Sequence, residues 1–354
     1  MRRFFVLTSL CFSLLIALPL GLNAQGTQPA CGHSVVTYDV SDPVYGGTYP
    51  YMIISNGDVA GAYYAADGIA HGFIRDHNGN ITTFDAPNAG GSEGTVPFSM
   101  NDFGIIAGYY TDSDDHAHGF IRDRRGNFTT VDVPNATDTA IYDINLLGTT
   151  AGIYYDTDGV GHMFLRTPFG RFTSFDVVSG FLGWYNCAAS CLNNFGVLTG
   201  IYSDASDLYH SFLRGPSGHY ITFDPPNAVQ SYGVGINDAG EVIGFFSDVA
   251  GTEHGYIRRL NGNFVKFDVN VPDVAGTEPG DINAYGVVSG QYFDSLGAYH
   301  GFLRQTNGHI ITFDIPGAGT GSGMGTFPFT LNASGAVTGN YCGDDGNCHG
   351  FIWK

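Results

Sequence analysis

From Gly233 to Asp268 the chain alternates short apolar runs with small polar clusters: GVGIN, DAG, EVIGFFS, DVAGTE, HGYIRR, LNGN, FVKFD. Runs of five to seven residues rich in Val, Ile, Phe and Tyr, bounded by Gly, Asn and Asp, have the signature of short strands. No helix-length segment beyond residue 24 carries apolar residues at 3.6-residue spacing. The pattern predicts four strands, a to d, joined as hairpins. The glycines of DAG and NGN, Gly240 and Gly262, are expected to supply the positive φ of two-residue hairpin turns.

The same unit is written again and again. HGFIRDHNGNITTFDAPNA, starting at His71, returns nearly unchanged from His118, and its leading histidine recurs at His162, His210, His254, His300 and His349, a period of 44 to 49 residues. Fourteen residues after six of these histidines stands an aspartate (Asp85, Asp132, Asp176, Asp224, Asp268, Asp314), and ten residues before all seven stands a glycine. With the c–d turn centred between the seventh and eighth residues after the histidine, that aspartate is expected opposite the residue that follows the histidine. A histidine–aspartate or aspartate–backbone hydrogen bond would there tie the strand ends together.

One small four-stranded sheet cannot bury both of its faces alone, and both faces here carry apolar residues, including an aromatic two positions after every strand-b glycine. Radial stacking satisfies both, so the fold class expected is all-β: a seven-bladed β-propeller of four-stranded antiparallel blades. The last copy stops after strand c, at Lys354, whereas VVTYDV at 35–40 is an orphan strand d with Asp39 in the position of the repeated aspartate. This strand is expected to complete the last blade. Blade cores are expected at about 50–85, 97–132, 140–176, 187–224, 231–268, 279–314 and 327–354 with 35–40, in one domain spanning 25–354.

Composition agrees with many short strands and tight turns: 52 glycines, 21 tyrosines and 27 phenylalanines in 354 residues. Residues 1–24, with two arginines, an apolar stretch and Ala24 at a cleavable end, read as an export signal, leaving a secreted chain with no membrane span. The formal charge of −19 becomes more negative once Arg2 and Arg3 are removed. Such a surface repels nucleic acid, which needs a basic stripe, and six of the remaining arginines belong to the repeated strand c.

Equivalent positions of a propeller are spread one per blade, so the seven histidines are expected to be structural and not to share an ion. The d-to-a connections, which alone vary in length, emerge on the same face as the b-to-c loops, and that face is acidic. Its candidate ligand-binding residues are Asp112, Asp114, Asp115 and His116, Asp156 and Asp158, Asp204, Asp207, Asp248, Asp294, Asp344 and Asp345. DTDG at Asp156 resembles the start of a calcium loop without its closing glutamate, so calcium is the one metal candidate and no other cofactor is expected. No catalytic constellation is identifiable: there is no GxSxG or HExxH, and the Gly-rich run from Gly317 to Phe329 lacks the lysine of a phosphate loop. Cys342 and Cys348 flank the loop GDDGN and are expected to form a disulfide; Cys187 and Cys191 are a second candidate pair if CAASC coils, leaving Cys31 over.

The unit IN-x-x-G-x-x-x-G, then H-G-F-[IL]-R, then G-x-[FI]-T-T-F-D-x-P-x-A, resembles the extracellular HAF-repeat family of bacteria over nearly all of 35–354. Met163 and Ser211 depart from the glycine, Ile54 from the strand-a asparagine and Trp353 from the arginine. The resemblance implies export and a repetitive β fold and carries over no activity or site residue. The function expected is a monomeric, non-catalytic binding scaffold whose glycan or protein ligand sits on the variable acidic face. The rival expectations are a polysaccharide lyase or glycoside hydrolase and a calcium-dependent adhesion protein.

Overall fold

The computed structural model describes residues 32–40, 46–177 and 191–354. The expected export signal (residues 1–24), Cys31 and Cys187 lie outside the described residues. Every regular element among those described is a β-strand. β1 (Val35–Tyr38) comes first. Then come β2 (Thr48–Ile53), β3 (Val59–Tyr64), β4 (Ala70–Arg75) and β5 (Ile81–Phe84), followed by β6 (Thr95–Met100), β7 (Ile106–Thr111), β8 (Ala117–Arg122) and β9 (Phe128–Val131). The third repeat holds β10 (Asp138–Ile144), β11 (Thr150–Tyr155), β12 (Gly161–Arg166) and β13 (Phe172–Phe175). The fourth holds β14 (Leu198–Ser203), β15 (Tyr209–Arg214) and β16 (Tyr220–Phe223), with Leu192 bridging Leu198 at the end of its strand a. The fifth holds β17 (Gln230–Ile236), β18 (Val242–Ser247), β19 (Glu253–Arg258) and β20 (Phe264–Phe267). The sixth holds β21 (Val274–Ile282), β22 (Val288–Asp294), β23 (Tyr299–Arg304) and β24 (Ile310–Phe313), and β25 (Gly325–Leu331), β26 (Val337–Cys342) and β27 (Cys348–Trp353) end the chain.

Each repeat is an antiparallel meander in sequence order. The edge of the last is taken by β1, which pairs antiparallel with β27 from Val35↔Trp353 to Tyr38↔Gly350. The turns differ from the two-residue hairpins expected. In the first repeat Asp76 N donates to Asn80 O and Gly79 N to Asp76 O, and Gly79 sits at φ 94°, which makes a three-residue loop with a single left-handed glycine. The aspartate selects this turn, because its Oδ1 accepts the N–H groups of both Asn78 and Asn80. The longer loop also corrects the register: Gly72 pairs with Phe84, so Asp85 falls opposite His71 itself.

Strand a is bulged wherever it is described in full. Its pairing slips between Tyr49 and Met52, Pro97 and Ser99, Ile141 and Asp143, Gly233 and Gly235, Pro279 and Asp281, and Pro328 and Thr330. The bulge presses strand a onto the middle of strand b: a Cβ at Gly108 would strike the Val96 carbonyl and Pro97 Cα, and Gly61, Gly290 and Gly339 are crowded in the same way. That close approach is the physical reason for a glycine ten residues before each histidine.

Neighbouring sheets are fixed to one another by three repeated contacts. Buried asparagines at the end of strand a donate through Nδ2 to the carbonyl one repeat on: Asn101 to Asn145, Asn145 to Asn193, Asn193 to Asn237, Asn237 to Asn283, Asn283 to Asn332, and Asn332 to Ile54. Ile54 has no amide to donate, and Ser55 bonds Asp102 through both N and Oγ instead. The strand-c arginines lie over the strand-d ring of the preceding repeat, as with Arg75 over Tyr38, Arg214 over Phe175 and Arg304 over Phe267. Trp353, in the arginine position, stacks on Phe313 at 4.5 Å. Between them Phe73, Phe120, Phe164, Phe212, Tyr256, Phe302 and Phe351 are fully buried, one per repeat.

Because the bulge leaves no room beside it, Gly108→Ala is expected to destabilise the protein by about 1–3 kcal/mol, the range for overpacking a close contact. Denaturant unfolding measures this, and a variant as stable as the parent would mean that the bulge can shift at no cost.

Candidate functional site

The seven histidines stand at the start of strand c, each opposite the aspartate that ends strand d. Nδ1 bonds that carboxylate in every repeat: His71–Asp85 2.8 Å, His118–Asp132 3.0 Å, His162–Asp176 3.0 Å, His210–Asp224 2.9 Å, His254–Asp268 2.8 Å, His300–Asp314 2.8 Å and His349–Asp39 2.9 Å. Each imidazole also packs on the aromatic ring across strand b, as His300 does on Tyr292 at 4.8 Å. Nε2 meets a second carboxylate six residues earlier: Asp112, Asp156 and Asp248 at 3.3 Å, Asp204 at 3.4 Å and Asp294 at 3.7 Å. Burial opposes the charged ring of His118, His162 and His300, but the paired aspartates outweigh it and raise all three above the ordinary histidine range.

These loop aspartates were candidate ligand-binding residues, and their oxygens are already engaged. Asp112 Oδ1 accepts the N–H groups of Asp114 and His116; Asp156, Asp204, Asp248 and Asp294 cap their own loops in the same way. Asp115 accepts from Ser92 N, Asp344 from Thr320 and Gly321 N, and Asp345 from Asn347, while His116 lies 3.5 Å from Asp138. Asp114 and Asp158 are exposed, and Asp207 serves as a loop residue at φ 59°. Among the described residues no group of three His, Cys, Asp or Glu side chains is placed to hold a metal ion. Cys342 and Cys348 form a disulfide between directly paired residues of β26 and β27; Cys191 is buried and disulfide-bonded.

The distinctive chemistry lies nearer the axis. Each bulge adds an extra strand-a side chain, and four of these form an arc: Tyr51 packs on Phe98 at 5.7 Å and on Phe329 at 5.6 Å, and Phe98 on Tyr142 at 4.9 Å. The equivalent residues of the fifth and sixth repeats are Val234 and Gly280, so this side has little bulk. Towards the loop face Tyr49 meets Tyr64 edge-on at 5.6 Å, and Tyr109 donates to Glu93 at 2.6 Å. Burial, then the Glu93 charge, drive Tyr109 well above the usual phenol range, and burial pushes Tyr64 up to about 12, so both remain hydroxyl donors. In the fifth and sixth repeats Tyr232 stacks on Phe245 at 4.6 Å, Gln291 donates to Glu278 at 2.6 Å, and Glu253 is raised by burial and by the neighbouring Glu278. Nothing in the repeat announces this set, because Glu93, Glu253 and Glu278 each occur at a position that other repeats fill differently.

Two further carboxylates, Asp143 and Asp281, are buried on strand a. Asp143 accepts from Ser99 Oγ and Leu192 N, and Asp281 from Leu331 N; Ser99 and Thr330 do the same for Ile144 and Ile53 with hydroxyls. Their work is to satisfy the neighbouring sheet's backbone. Burial pushes Asp143 up to about 7, helped by the charge of Asp281.

No family model matches the chain, and no curated protein matches it. Among solved structures it is similar to a streptogramin B lyase (TM-score 0.60, 14% identity, covering 91% of this chain and 97% of that one). It is also similar to virginiamycin B lyase from Staphylococcus aureus (0.58, 13%, 90% and 99%) and to the β-propeller domain of the trilobed protease from Pyrococcus furiosus (0.59, 12%, 87% and 95%). The fold is a β-propeller. At these identities the likeness speaks for the fold and for no activity.

The titrating groups set a pH optimum. The raised histidines His118, His162 and His300 contribute stability that is complete below the ordinary histidine value and is lost as pH rises through their folded values. Asp143, a raised acid, also loses native stability as pH rises, up to about 7. The lowered carboxylates Asp112, Asp156, Asp204 and Asp248 act the other way, holding above the ordinary aspartate value and failing as pH falls below it. The melting temperature is therefore expected to peak at about pH 4–5, to fall as Asp143 and then the histidines titrate and to be several degrees lower at alkaline pH, with Asp143→Asn flattening the first part of the slope. A profile that rises towards alkaline pH would contradict these assignments.

Proposed function

We propose that the chain is an exported, seven-bladed β-propeller of HAF-repeat type that binds a glycan non-catalytically in the aromatic, acid-rimmed mouth. The blade count rests on seven histidine-led repeats. The closing of the ring rests on the β1–β27 ladder together with the Asn332 bond to Ile54. Export is supported by residues 1–24 and by the Cys342–Cys348 disulfide, a bond that persists in oxidising compartments.

The observation that carries the binding reading is the half-buried tyrosine group around Glu93. Sugar rings offer apolar C–H faces that pack on aromatic rings and hydroxyls that need fixed acceptors; Tyr49, Tyr64 and Tyr142 supply the first, Glu93, Glu278 and Gln291 the second. The Tyr51 hydroxyl, buried without a hydrogen-bond partner among the described residues, is a further donor. Burial and the neighbouring Glu278 hold Glu253 towards its protonated form, so it is the less charged of the two carboxyls.

A glycan array followed by calorimetry tests this. Neutral glycans are expected to bind, in chelator as well as in calcium, and Tyr64→Ala and Glu93→Gln are each expected to weaken binding by roughly tenfold or more. An empty array, or variants that bind like the parent, would overturn the reading; binding lost in chelator would favour the calcium-dependent one.

A further inference from the structure

The opposite face, made of the a–b and c–d turns, carries a patch of another kind. The third residue of the a–b turn is Phe103, Leu147 and Phe195 in three consecutive repeats, 61%, 65% and 67% exposed, and the c–d turn of the middle one adds Phe169 at 98%. The turns beneath them satisfy their own backbone: Gly104 N donates to Asn101 O, Gly148 N to Asn145 O and Gly196 N to Asn193 O. Apolar tips are therefore what these turns present to the outside.

The tips form one arc. Asn101 bonds the Asn145 carbonyl and Leu146 N bonds Asn194 Oδ1, which holds the three turns side by side. Within repeats, Gly104 lies against Arg124 and Gly148 against Pro168, so the c–d turns adjoin the a–b turns. Arg124, Arg125 and Arg171, which are exposed, stand on those c–d turns. The nearby acids are already engaged: Asp123 accepts from Arg125 N and from Asn127 N and Nδ2, and Asp102 from Ser55.

We propose that this arc docks the protein on a lipid bilayer with anionic headgroups, the Phe and Leu tips entering the boundary between headgroups and acyl chains and the three arginines meeting lipid phosphates. Isolated apolar tips carried on convex turns, with arginines between them, suit a surface that yields around each tip. A folded partner would need a separate pocket for each. The distribution of charge supports the same orientation, because the acidic loops sit at the other end of the strands and point the glycan mouth away from the membrane. The proposal is independent of that mouth: each can fail without the other.

Co-sedimentation of the mature chain with vesicles tests it. Binding is expected to mixed phosphatidylcholine–phosphatidylglycerol vesicles, to be weaker on phosphatidylcholine alone and to fall with added salt. The combined variant Phe103→Ser, Leu147→Ser, Phe195→Ser is expected to lose roughly tenfold or more in binding, and Arg124→Gln, Arg125→Gln, Arg171→Gln to lose the preference for anionic lipid, both with unchanged melting temperature. Absence of vesicle binding, or equal binding by the serine variant, would overturn the proposal. So would a dimer of the parent that the serine variant dissociates, since the patch would then be covered by a second copy of the chain.

Discussion

At six repeats a buried asparagine amide joins one sheet to the next. Its Oδ1 accepts backbone N–H groups of its own a–b turn, as Asn283 does from Tyr285 and Val287, while Nδ2 reaches the carbonyl of the equivalent residue in the following sheet. A buried amide of this kind must place both its oxygen and its hydrogens, because leaving either unpaired costs on the order of 1–3 kcal/mol. The relative position of neighbouring sheets is therefore specified at the axis, and the arginine–aromatic contacts farther out repeat with it. At the one repeat where the asparagine is replaced, by Ile54, the link to the following sheet passes to Ser55 and Asp102.

With the scaffold specified in this way, the two ends of the strands are free to differ. The loop end holds most of the carboxylates, yet many of these are occupied in capping turns or in clamping the seven histidines, so its acidity measures structure as well as recognition. What distinguishes that end is the non-repeating set of tyrosines and glutamates around the axis, where the bulges of strand a bring side chains of adjacent sheets into contact. The turn end places apolar tips and arginines over three adjacent repeats. A molecule so divided has a direction, with acidic loops at one end and apolar, arginine-bearing turns at the other.

The sequence revealed what is periodic. The recurring histidine and the aspartate fourteen residues later define the c–d hairpin, and the orphan VVTYDV has a strand-d pattern that finds its place beside β27. The turn length was not legible, because an aspartate just ahead of the loop stabilises a three-residue loop through its side chain, and alternation of apolar residues does not register that. The strand-b glycine was visible as a spacing, but its cause, a bulge in the neighbouring strand, belongs to the partner strand and to no local pattern. At five of the seven histidines the second carboxylate is one of the loop aspartates that the sequence offers as ligand groups; only a three-dimensional path brings Asp156 round to His162. Glu93, Glu253 and Glu278 were not legible at all, since each departs from its own repeat.

The proposed closed propeller requires a chain of sheets with no open edge. Native-state hydrogen exchange across Val35–Tyr38 examines this most directly, because among the described strands β1 alone has its ladder partner at the other end of the sequence. Its amides are expected to be as protected as those of β27 (Cys348–Trp353) and to exchange only with global unfolding. Exchange of Val35–Tyr38 at the rate of an unstructured chain, with β27 still protected, would contradict the closed propeller.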